Sequence, residues 1–294
     1  MKVSPECALC LFQRGYLEIL EATESMELRF KAITYLLKML ADSFRPDAIP
    51  AILGTARERL IKCITGNSDP MARRKMLSNI EALKSLPFAD HYISEEKSSY
   101  LRFRKACLCA IVGNTIEFGI PGHIFDFNDL PRLIIEAEKD LAIDDIYETF
   151  NHAKNAKTVV YLADNAGEIV FDKLLIKELK NLGCSVVIAV KEKPVCNDAT
   201  LEDVLLAGIN NVADEVITTG SDAMGLILQE CSREFLEVYE MADLVIAKGM
   251  ANAETITEIN IGVPHLLLLR TKCNNVASYF SIPRNKNVAK LLYP

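Results

Sequence analysis

The second half of the chain contains five short apolar runs that alternate with segments of helical periodicity. The runs are rich in β-branched and aliphatic residues and cover residues 158–162, 185–190, 215–218, 244–247 and 265–269. Continuous apolar strands that are separated by helices are typical of a parallel sheet with helices on both faces. The sequence therefore predicts an α/β fold in which a C-terminal three-layer α/β domain contains a mainly parallel sheet.

Up to about residue 155 the apolar periodicity is helical instead. Amphipathic runs cover residues 7–21, 27–40, 48–65, 70–86, 95–118, 130–142 and 145–155, with breaks at 67–70 and 119–122. A chain of 294 residues is long enough for two domains, at about 150 residues each. We therefore expect a mainly α-helical domain over residues 1–155, packed over the rim of an α/β domain over residues 156–294.

Composition and charge exclude several classes of protein. Half of the residues are hydrophobic and a quarter are charged, which is not the composition of a disordered chain. The net charge of −7 argues against a nucleic acid polymer as a partner. The run 266–269 is far shorter than the ~18 apolar residues of a membrane span, so we expect no membrane partner and a cytoplasmic location. Nine scattered cysteines do not indicate a disulfide framework, and the oligomeric state stays open.

Polar side chains follow the predicted strands, where the carboxyl ends of parallel strands form ligand sites. Asp164 and Asn165 follow the first strand, and Asp198 follows the second. Two carboxylates and an amide carbonyl are hard oxygen ligands, which suit an octahedral Mg²⁺ or Mn²⁺ better than a structural Zn²⁺. These three residues are therefore candidate metal ligands.

Cations follow the later strands at the same edge. Lys248 follows the fourth strand, and Arg270 and Lys272 follow the fifth. A metal with oxygen ligands beside cations is suited to phosphoryl transfer, so a phosphate ester is the expected substrate and metal-activated water the expected nucleophile. The chain has no P-loop motif, and the turn after the first strand lacks the Gly-x-Gly-x-x-Gly motif of dinucleotide sites. An aspartyl-phosphate mechanism would need a carboxylate at residue 166, which is alanine.

Several motifs together resemble those of the metal-dependent damage-control phosphatases, the acidic-residue methyltransferase-like family. The resemblance rests on the following segments: Asp164-Asn165-Ala166-Gly167-Glu168, Asn197-Asp198-Ala199-Thr200, Lys248-Gly249-x-x-Asn252 and Gly113-Asn114-x-x-Glu117. Two further segments, Cys7-x-x-Cys10 and Arg270-Thr271-Lys272-Cys273, are similar to the branch that is associated with purine nucleotides.

The resemblance implies an activity and a set of residues. It implies hydrolysis of phosphate monoesters among damaged or surplus phosphometabolites, such as abnormal purine nucleotides, with Mn²⁺, Ni²⁺, Co²⁺ or Mg²⁺ as cofactor. Asp164, Asn165 and Asp198 match the family's metal ligands and Lys248 its phosphate-contacting lysine. Asn114 matches a residue that reaches the site from the helical domain. The family commonly has Asp where this chain has Glu117, which receives no role here.

Other roles stay open at this point. Glu168 or Glu254 is a candidate proton acceptor, and Asn252, Glu254 and Arg270 are candidate substrate contacts. Cys7 and Cys10 are expected to dock near Cys273, whose pKa the neighbouring cations would lower, in a redox-sensitive or metal-binding cluster. The alternatives to a phosphatase are a non-catalytic module that binds nucleotide or metal and a carboxyl methyltransferase, although the chain shows no glycine-rich motif for S-adenosylmethionine.

Overall fold

The structure is a computed structural model that describes residues 1–116 and 126–294. The break predicted at 119–122 and the motif residue Glu117 lie outside the described residues. No helix within the two described ranges is long and apolar enough to cross a membrane.

The first three helices pack on one another around a core of their own. They are α1 (Cys7–Ala22), α2 (Met26–Ser43) and α3 (Pro50–Thr65). Their apolar faces meet at buried residues that include Leu11, Ile19, Leu36, Leu53 and Ile61. The helix boundaries follow local sequence signals: the Ser25 hydroxyl accepts a hydrogen bond from Leu28 N at the start of α2, and Gly66 ends α3 in the left-handed conformation.

The next helices share a core with the sheet. They are α4 (Ala72–Ser94), α5 (Ser99–Gly113), α6 (Leu130–Glu136) and α7 (Ile146–Ala153). Helix α5 is buried at every residue from 106 to 113, because its sequence is apolar on all sides over that stretch. It therefore lies between the sheet layer and the outer helices.

One seven-stranded sheet forms the centre of the molecule. The strands are β1 (Leu141–Asp144), β2 (Thr158–Leu162), β3 (Ser185–Val190), β4 (Glu215–Thr218), β5 (Leu244–Lys248), β6 (His265–Arg270) and β7 (Asn287–Leu292). Their order is β1-β7-β6-β5-β2-β3-β4, and every neighbouring pair is parallel except the antiparallel pair of β6 and β7. The predicted α/β class and the mainly parallel sheet are confirmed.

Helices cover both faces of this sheet. Those in the second half are α8 (Glu168–Asn181), α9 (Leu201–Ala207), α10 (Arg233–Glu240), α11 (Gly249–Ile256) and α12 (Asn274–Tyr279). Side chains of β2 alternate between the two layers: Tyr161 packs in the core that contains α5 and α8, and Val160 packs in the core that contains α10 and α11. This alternation is expected for a strand that is buried on both faces.

Two strands were not predicted. Strand β1 falls in a segment predicted as helical, and β7 joins it to the sheet by pairing in parallel with β1 and antiparallel with β6. Four residues of β1 are too few for apolar periodicity to separate a strand from a helix. The segment before residue 155 thus contributes an edge strand to the sheet, and the division into two domains at that residue stays a prediction.

A buried histidine of β6 makes the stability of this fold depend on pH. His265 is fully buried, its Nε2 lies 2.7 Å from the hydroxyl of Tyr239, and its Nδ1 lies 2.7 Å from the carbonyl oxygen of Val263. Burial lowers the pKa of His265 to about 4, and the Val263 carbonyl offsets only part of that effect. The folded state therefore favours the neutral imidazole.

We expect acid to remove a contribution of His265 to the free energy of unfolding. Because the pKa of His265 is lower in the folded than in the unfolded protein, this contribution is complete above about pH 6.5 and declines toward pH 4, by on the order of 3 kcal/mol. Urea unfolding of the wild type and of His265→Gln between pH 4 and 7.5 measures it. The difference between the two proteins should shrink as the pH falls, and a constant difference would contradict the prediction.

Candidate active site

The order of the strands creates a crevice at the carboxyl end of β2. The chain passes from β2 to β3 on one side, and β5 joins β2 on the other side. The strand order therefore reverses direction at β2. Open parallel sheets bind ligands at such a switch point, beyond the carboxyl ends of the strands. Asp164 lies two residues after β2, Asp198 lies in the loop after β3, and Lys248 is the last residue of β5.

Main-chain hydrogen bonds join the loops that follow β2 and β3. Asn165 and Asp198 form an isolated antiparallel bridge. Ala166 N donates to the Asn197 carbonyl at 2.8 Å, and Ala199 N donates to the Asp164 carbonyl at 2.7 Å. The two loops therefore hold Asp164, Asn165 and Asp198 side by side, and these three residues are called the acidic wall below.

The loop after β5 approaches Asp164 so closely that only glycine fits there. Gly249 has φ +78°, and a Cβ at this position would lie 1.8 Å from Oδ2 of Asp164. Glycine is required at this position for two reasons. It adopts the left-handed conformation without strain, and it leaves space for the carboxylate of Asp164.

Two asparagine amides link the carboxylates of Asp164 and Glu168. Asn114 Nδ2 donates to Asp164 Oδ2 at 2.9 Å and to Glu168 Oε2 at 2.8 Å. Asn165 Nδ2 donates to the same two oxygens at 2.6 and 2.9 Å. Because the amide nitrogen of Asn165 faces these carboxylates, its carbonyl oxygen points away from them. The side-chain oxygen Oδ1 of Asn114 in turn accepts a hydrogen bond from Arg270 N at 3.2 Å.

Lys248 lies beneath this arrangement and is fully buried. Its ammonium group donates to Glu168, to Asp172 Oδ1 at 2.7 Å and to the Ala110 carbonyl at 2.9 Å. Burial by itself lowers the pKa of Lys248, but the two carboxylates outweigh burial and raise it above its ordinary value. Burial raises the pKa of Asp172 to about 6. Lys248 opposes this shift, and so does the Tyr161 hydroxyl, which donates a hydrogen bond to Asp172 Oδ1 at 2.7 Å.

A cavity of about 330 Å³ lies in front of the acidic wall, which is enough space for a small ligand. Helices α1 and α3 and the loops after the strands enclose it. Several residues singled out from the sequence line it together, among them Asp164, Asn165, Asp198, Glu254, Cys7, Cys10 and Cys273. Lys272 lines it as well, and its ammonium group donates to the main-chain oxygen of Asn114 at 2.7 Å.

The structure places the other predicted residues away from the cavity surface. Asn114 and Glu168 lie behind the acidic wall, as described above, and Lys248 lies below it rather than in the position of a substrate contact. Asn252 donates to the main-chain oxygen of Lys248 at 2.8 Å. The guanidinium of Arg270 points to Asp140 at 3.1 Å and to Asn287 at 2.8 Å, which corrects the expectation that it faces the substrate.

The three motif cysteines share the cavity wall, but their chemistry differs from the prediction. Burial raises the pKa of Cys273 to about 11, and nearby Glu254, Cys7 and Cys10 also raise it. The expected lowering by neighbouring cations is therefore wrong. Within residues 1–116 and 126–294, no group of three or more His, Cys, Asp or Glu side chains is arranged to hold a metal ion. A redox role of the cysteines stays a prediction.

Sequence reasoning missed three arginines of the cavity, namely Arg14, Arg57 and Arg284. Arg14 follows Cys7 by seven residues on α1, so the helical period could have placed both on one face. Arg57 carries no such signal, because an isolated arginine in an amphipathic helix normally faces solvent. Arg57 is buried beside Glu18, which belongs to another helix, α1.

The chain is similar to known proteins along most of its length. It matches the damage-control phosphatase ARMT1-like domain over residues 3–288. A damage-control phosphatase of Archaeoglobus fulgidus is 36% identical over 295 residues, which cover 99% of this chain and 100% of that protein. A damage-control phosphatase of Pyrococcus horikoshii is 36% identical over 286 residues, which cover 97% of this chain and 96% of that protein.

One further protein is similar to this chain in sequence, and one solved structure is similar to it in fold. An uncharacterized protein of Methanocaldococcus jannaschii is 38% identical over 292 residues, which cover 98% of this chain and 95% of that protein. A crystal structure of a DUF89 family protein from Pyrococcus horikoshii superposes with a TM-score of 0.86 at 36% identity and covers 98% of each chain. The α/β architecture described above is therefore also that of a solved structure.

We expect the substitution Gly249→Ala to destabilise the protein. The added Cβ would collide with the Asp164 carboxylate and would hold alanine in a left-handed conformation, so the free energy of unfolding should fall by at least ~2 kcal/mol. Denaturant unfolding measures the change. Gly262→Ala is the matched control, because its Cβ would meet no atom within 4 Å. Equal stabilities of the two variants would contradict the close approach at Gly249.

Proposed function

This chain belongs to the damage-control phosphatase ARMT1-like family, and from this premise we propose that it hydrolyses phosphate monoesters with a divalent cation. The observation that carries the proposal is the acidic wall of Asp164, Asn165 and Asp198, which faces a cavity beside the cation Lys272. Phosphoryl transfer is catalysed mainly by positioning and by neutralisation of charge, which this arrangement can provide.

The acidic wall fits a hard divalent cation. Asp164 and Asp198 supply carboxylate oxygens, and the amide of Asn165 turns its carbonyl oxygen away from the carboxylates that its nitrogen contacts. Oxygen donors of this kind suit Mg²⁺ or Mn²⁺, and Ni²⁺ and Co²⁺ are tested beside them. A cation bound there would polarise the phosphoryl group and lower the pKa of water.

Residues around the acidic wall hold it in place and balance its charge. The amide of Asn114 orients Asp164 through a hydrogen bond of 2.9 Å, and Lys248 compensates the buried carboxylate of Glu168. Lys272 is almost completely buried yet lies on the cavity wall, so its ammonium is well placed to contact phosphoryl oxygens. We assign Asn114 and Lys248 positioning roles and Lys272 a binding role.

Glu254 is better placed than Glu168 to accept a proton from the attacking water. Glu254 lines the cavity, whereas Glu168 is fully buried and is paired with Lys248. A proton acceptor must reach the reacting water, and the carboxylate of Glu168 is enclosed by its contacts with Lys248 and the amides of Asn114 and Asn165.

The substrate is proposed to be a small phosphometabolite. None of the described residues that line the cavity is aromatic, so a purine ring would have no aromatic side chain to stack on among them. Apolar contacts come from aliphatic and sulfur-containing side chains such as Leu9, Met224 and Met250. Abnormal purine nucleotides therefore stay a prediction and belong in the substrate panel.

Removal of one carboxylate from the acidic wall is expected to abolish most of the activity. Protein freed of metal with EDTA is assayed for phosphate release from a panel of monoesters, with Mn²⁺, Ni²⁺, Co²⁺ and Mg²⁺ added separately. Asp164→Asn and Asp198→Asn should each lower kcat/KM at least about 100-fold, since each loses a charged ligand.

The control for this assay is Asp222→Asn, which removes a carboxylate that is bound to Arg59 outside the acidic wall. Its activity should equal that of the wild type. Absence of phosphate release with all four metals would contradict the phosphatase proposal, and tight nucleotide binding under those conditions would support a non-catalytic binding module instead.

We expect Glu254→Gln to lower kcat by about 100-fold and to remove the acidic limb of the pH–rate profile, because a general base must be ionised to act. Glu168→Gln is the comparison. It leaves Lys248 with one carboxylate fewer, so it should lower the free energy of unfolding as well as the activity. A Glu254→Gln enzyme with normal kcat and an unchanged pH profile would refute this assignment.

A further inference from the structure

One buried asparagine of α4 contacts the segments that follow β2 and β3. Asn79 is 1% exposed. Its side-chain oxygen accepts a hydrogen bond from Gly167 N at 2.6 Å, and its side-chain nitrogen donates to Asp203 Oδ1 at 2.7 Å. A single amide group therefore bridges the start of α8 and the first turn of α9.

The contact with Gly167 fixes α4 against the loop after β2. Gly167 follows Asp164 of the acidic wall by three residues. The loop approaches α4 so closely that a Cβ on Gly167 would lie 2.9 Å from Cβ of Ser78, and its φ of +78° also favours glycine. The N–H groups at the start of a helix have no partner within that helix, and Asn79 supplies the acceptor for this one.

The contact with Asp203 extends the bridge to the loop after β3. Asp203 is 4% exposed, and its Oδ2 accepts hydrogen bonds from the main-chain N–H of Thr200 at 2.8 Å and from the Thr200 hydroxyl at 2.9 Å. Thr200 follows Asp198 of the acidic wall by two residues. Lys75 of α4 lies 3.5 Å from the same Oδ2 and compensates part of its charge. Asn79 and Asp203 are called the bridging pair below.

The acidic wall needs support of this kind because it contains two carboxylates side by side. Like charges repel, so Asp164 and Asp198 favour separation of the loops that carry them. Main-chain hydrogen bonds hold these loops to each other, as described above, and the bridging pair holds both of them to α4. An amide is suited to this position because it donates and accepts at once, so each end of the group holds a different loop.

We propose that Asn79 is a positioning residue of the proposed cation site, because it sets the spacing of the two loops that carry the acidic wall. Asn79 is not among the described residues that line the cavity, so it acts through Gly167 and Asp203 rather than by contact with a ligand. Residues behind metal ligands typically change metal affinity about 10- to 100-fold when they are replaced. The inference rests on the proposed function, of which the cation site is a part.

The first test measures the dissociation constant of Mn²⁺ by calorimetry, on protein freed of metal with EDTA. Asn79→Ala removes both hydrogen bonds of the amide, and its affinity for Mn²⁺ should fall at least about tenfold. Tyr239→Phe is the matched control, because it removes a buried hydrogen bond to His265 at the amino end of β6, away from the acidic wall. The control should bind Mn²⁺ as the wild type does. Unchanged affinity in Asn79→Ala would overturn the inference.

An exchange of the two side chains of the bridging pair tests rescue. Asn79→Asp keeps an acceptor for Gly167 N but places a second carboxylate against Asp203, so Mn²⁺ should bind at least as weakly as to Asn79→Ala. Combined with Asp203→Asn, the net charge is that of the wild type, and the amide at position 203 can donate to position 79 and accept from Thr200. The double variant should bind Mn²⁺ within about threefold of the wild type. Binding as weak as that of Asn79→Asp would contradict the bridge.

If Asn79→Ala fails to fold, Asp203→Asn alone takes its place. The amide nitrogen at position 203 then faces a donor, either Nδ2 of Asn79 or the N–H of Thr200, so one side of the bridge loses its hydrogen bond. Its affinity for Mn²⁺ should also fall, and wild-type affinity would overturn the inference.

Amide hydrogen exchange without metal separates this inference from the phosphatase proposal. In Asn79→Ala the amides of Ala166, Gly167 and Ala199 should exchange at least about tenfold faster, because their hydrogen bonds join the two loops and α4, while amides of β2 and β3 keep their rates. If the wild type binds no Mn²⁺ and releases no phosphate, the proposed function fails and exchange alone decides the inference. Unchanged exchange of the three amides would then overturn it.

Discussion

The buried ammonium group of Lys248 is the interaction on which the arrangement of the site depends. A fully buried cation is stable only if carboxylates and carbonyl oxygens replace its water, and Lys248 has Glu168, Asp172 and the Ala110 carbonyl. These partners come from α8 and α5, while the lysine ends β5. One side chain therefore ties two helices to the carboxyl end of the sheet.

The position of Asp164 follows from this ion pair through two amides. Glu168 is held by Lys248, and the side chains of Asn114 and Asn165 each donate to both Glu168 and Asp164. Two like-charged carboxylates would otherwise repel each other in a buried setting. The amides and the ammonium compensate that repulsion, and Gly249 leaves the space that the Asp164 carboxylate occupies.

The helical segment before the sheet completes the cavity rather than merely covering it. Helix α1 contributes Cys7, Cys10 and Arg14, and α3 contributes Arg57. The loops after the strands supply Asp164, Asn165 and Asp198 on the opposite wall of the same cavity.

The sequence by itself determined the parallel strands, the helices around them and the polar residues at the strand ends. These features depend on local apolar periodicity and on strand polarity, which place Asp164 and Asp198 at one edge whatever their later contacts are. Strand β1 was missed because it is too short for a periodic signal, and β7, which joins β1 to the sheet by pairing with β6, was missed as well. Only the tertiary structure decided where the long cationic side chains point: Lys248 turns under the site, Arg270 turns to Asp140, and Arg14 and Arg57 turn into the cavity. A flexible charged side chain follows the partners that lie around it in space, and those partners are far away in the sequence.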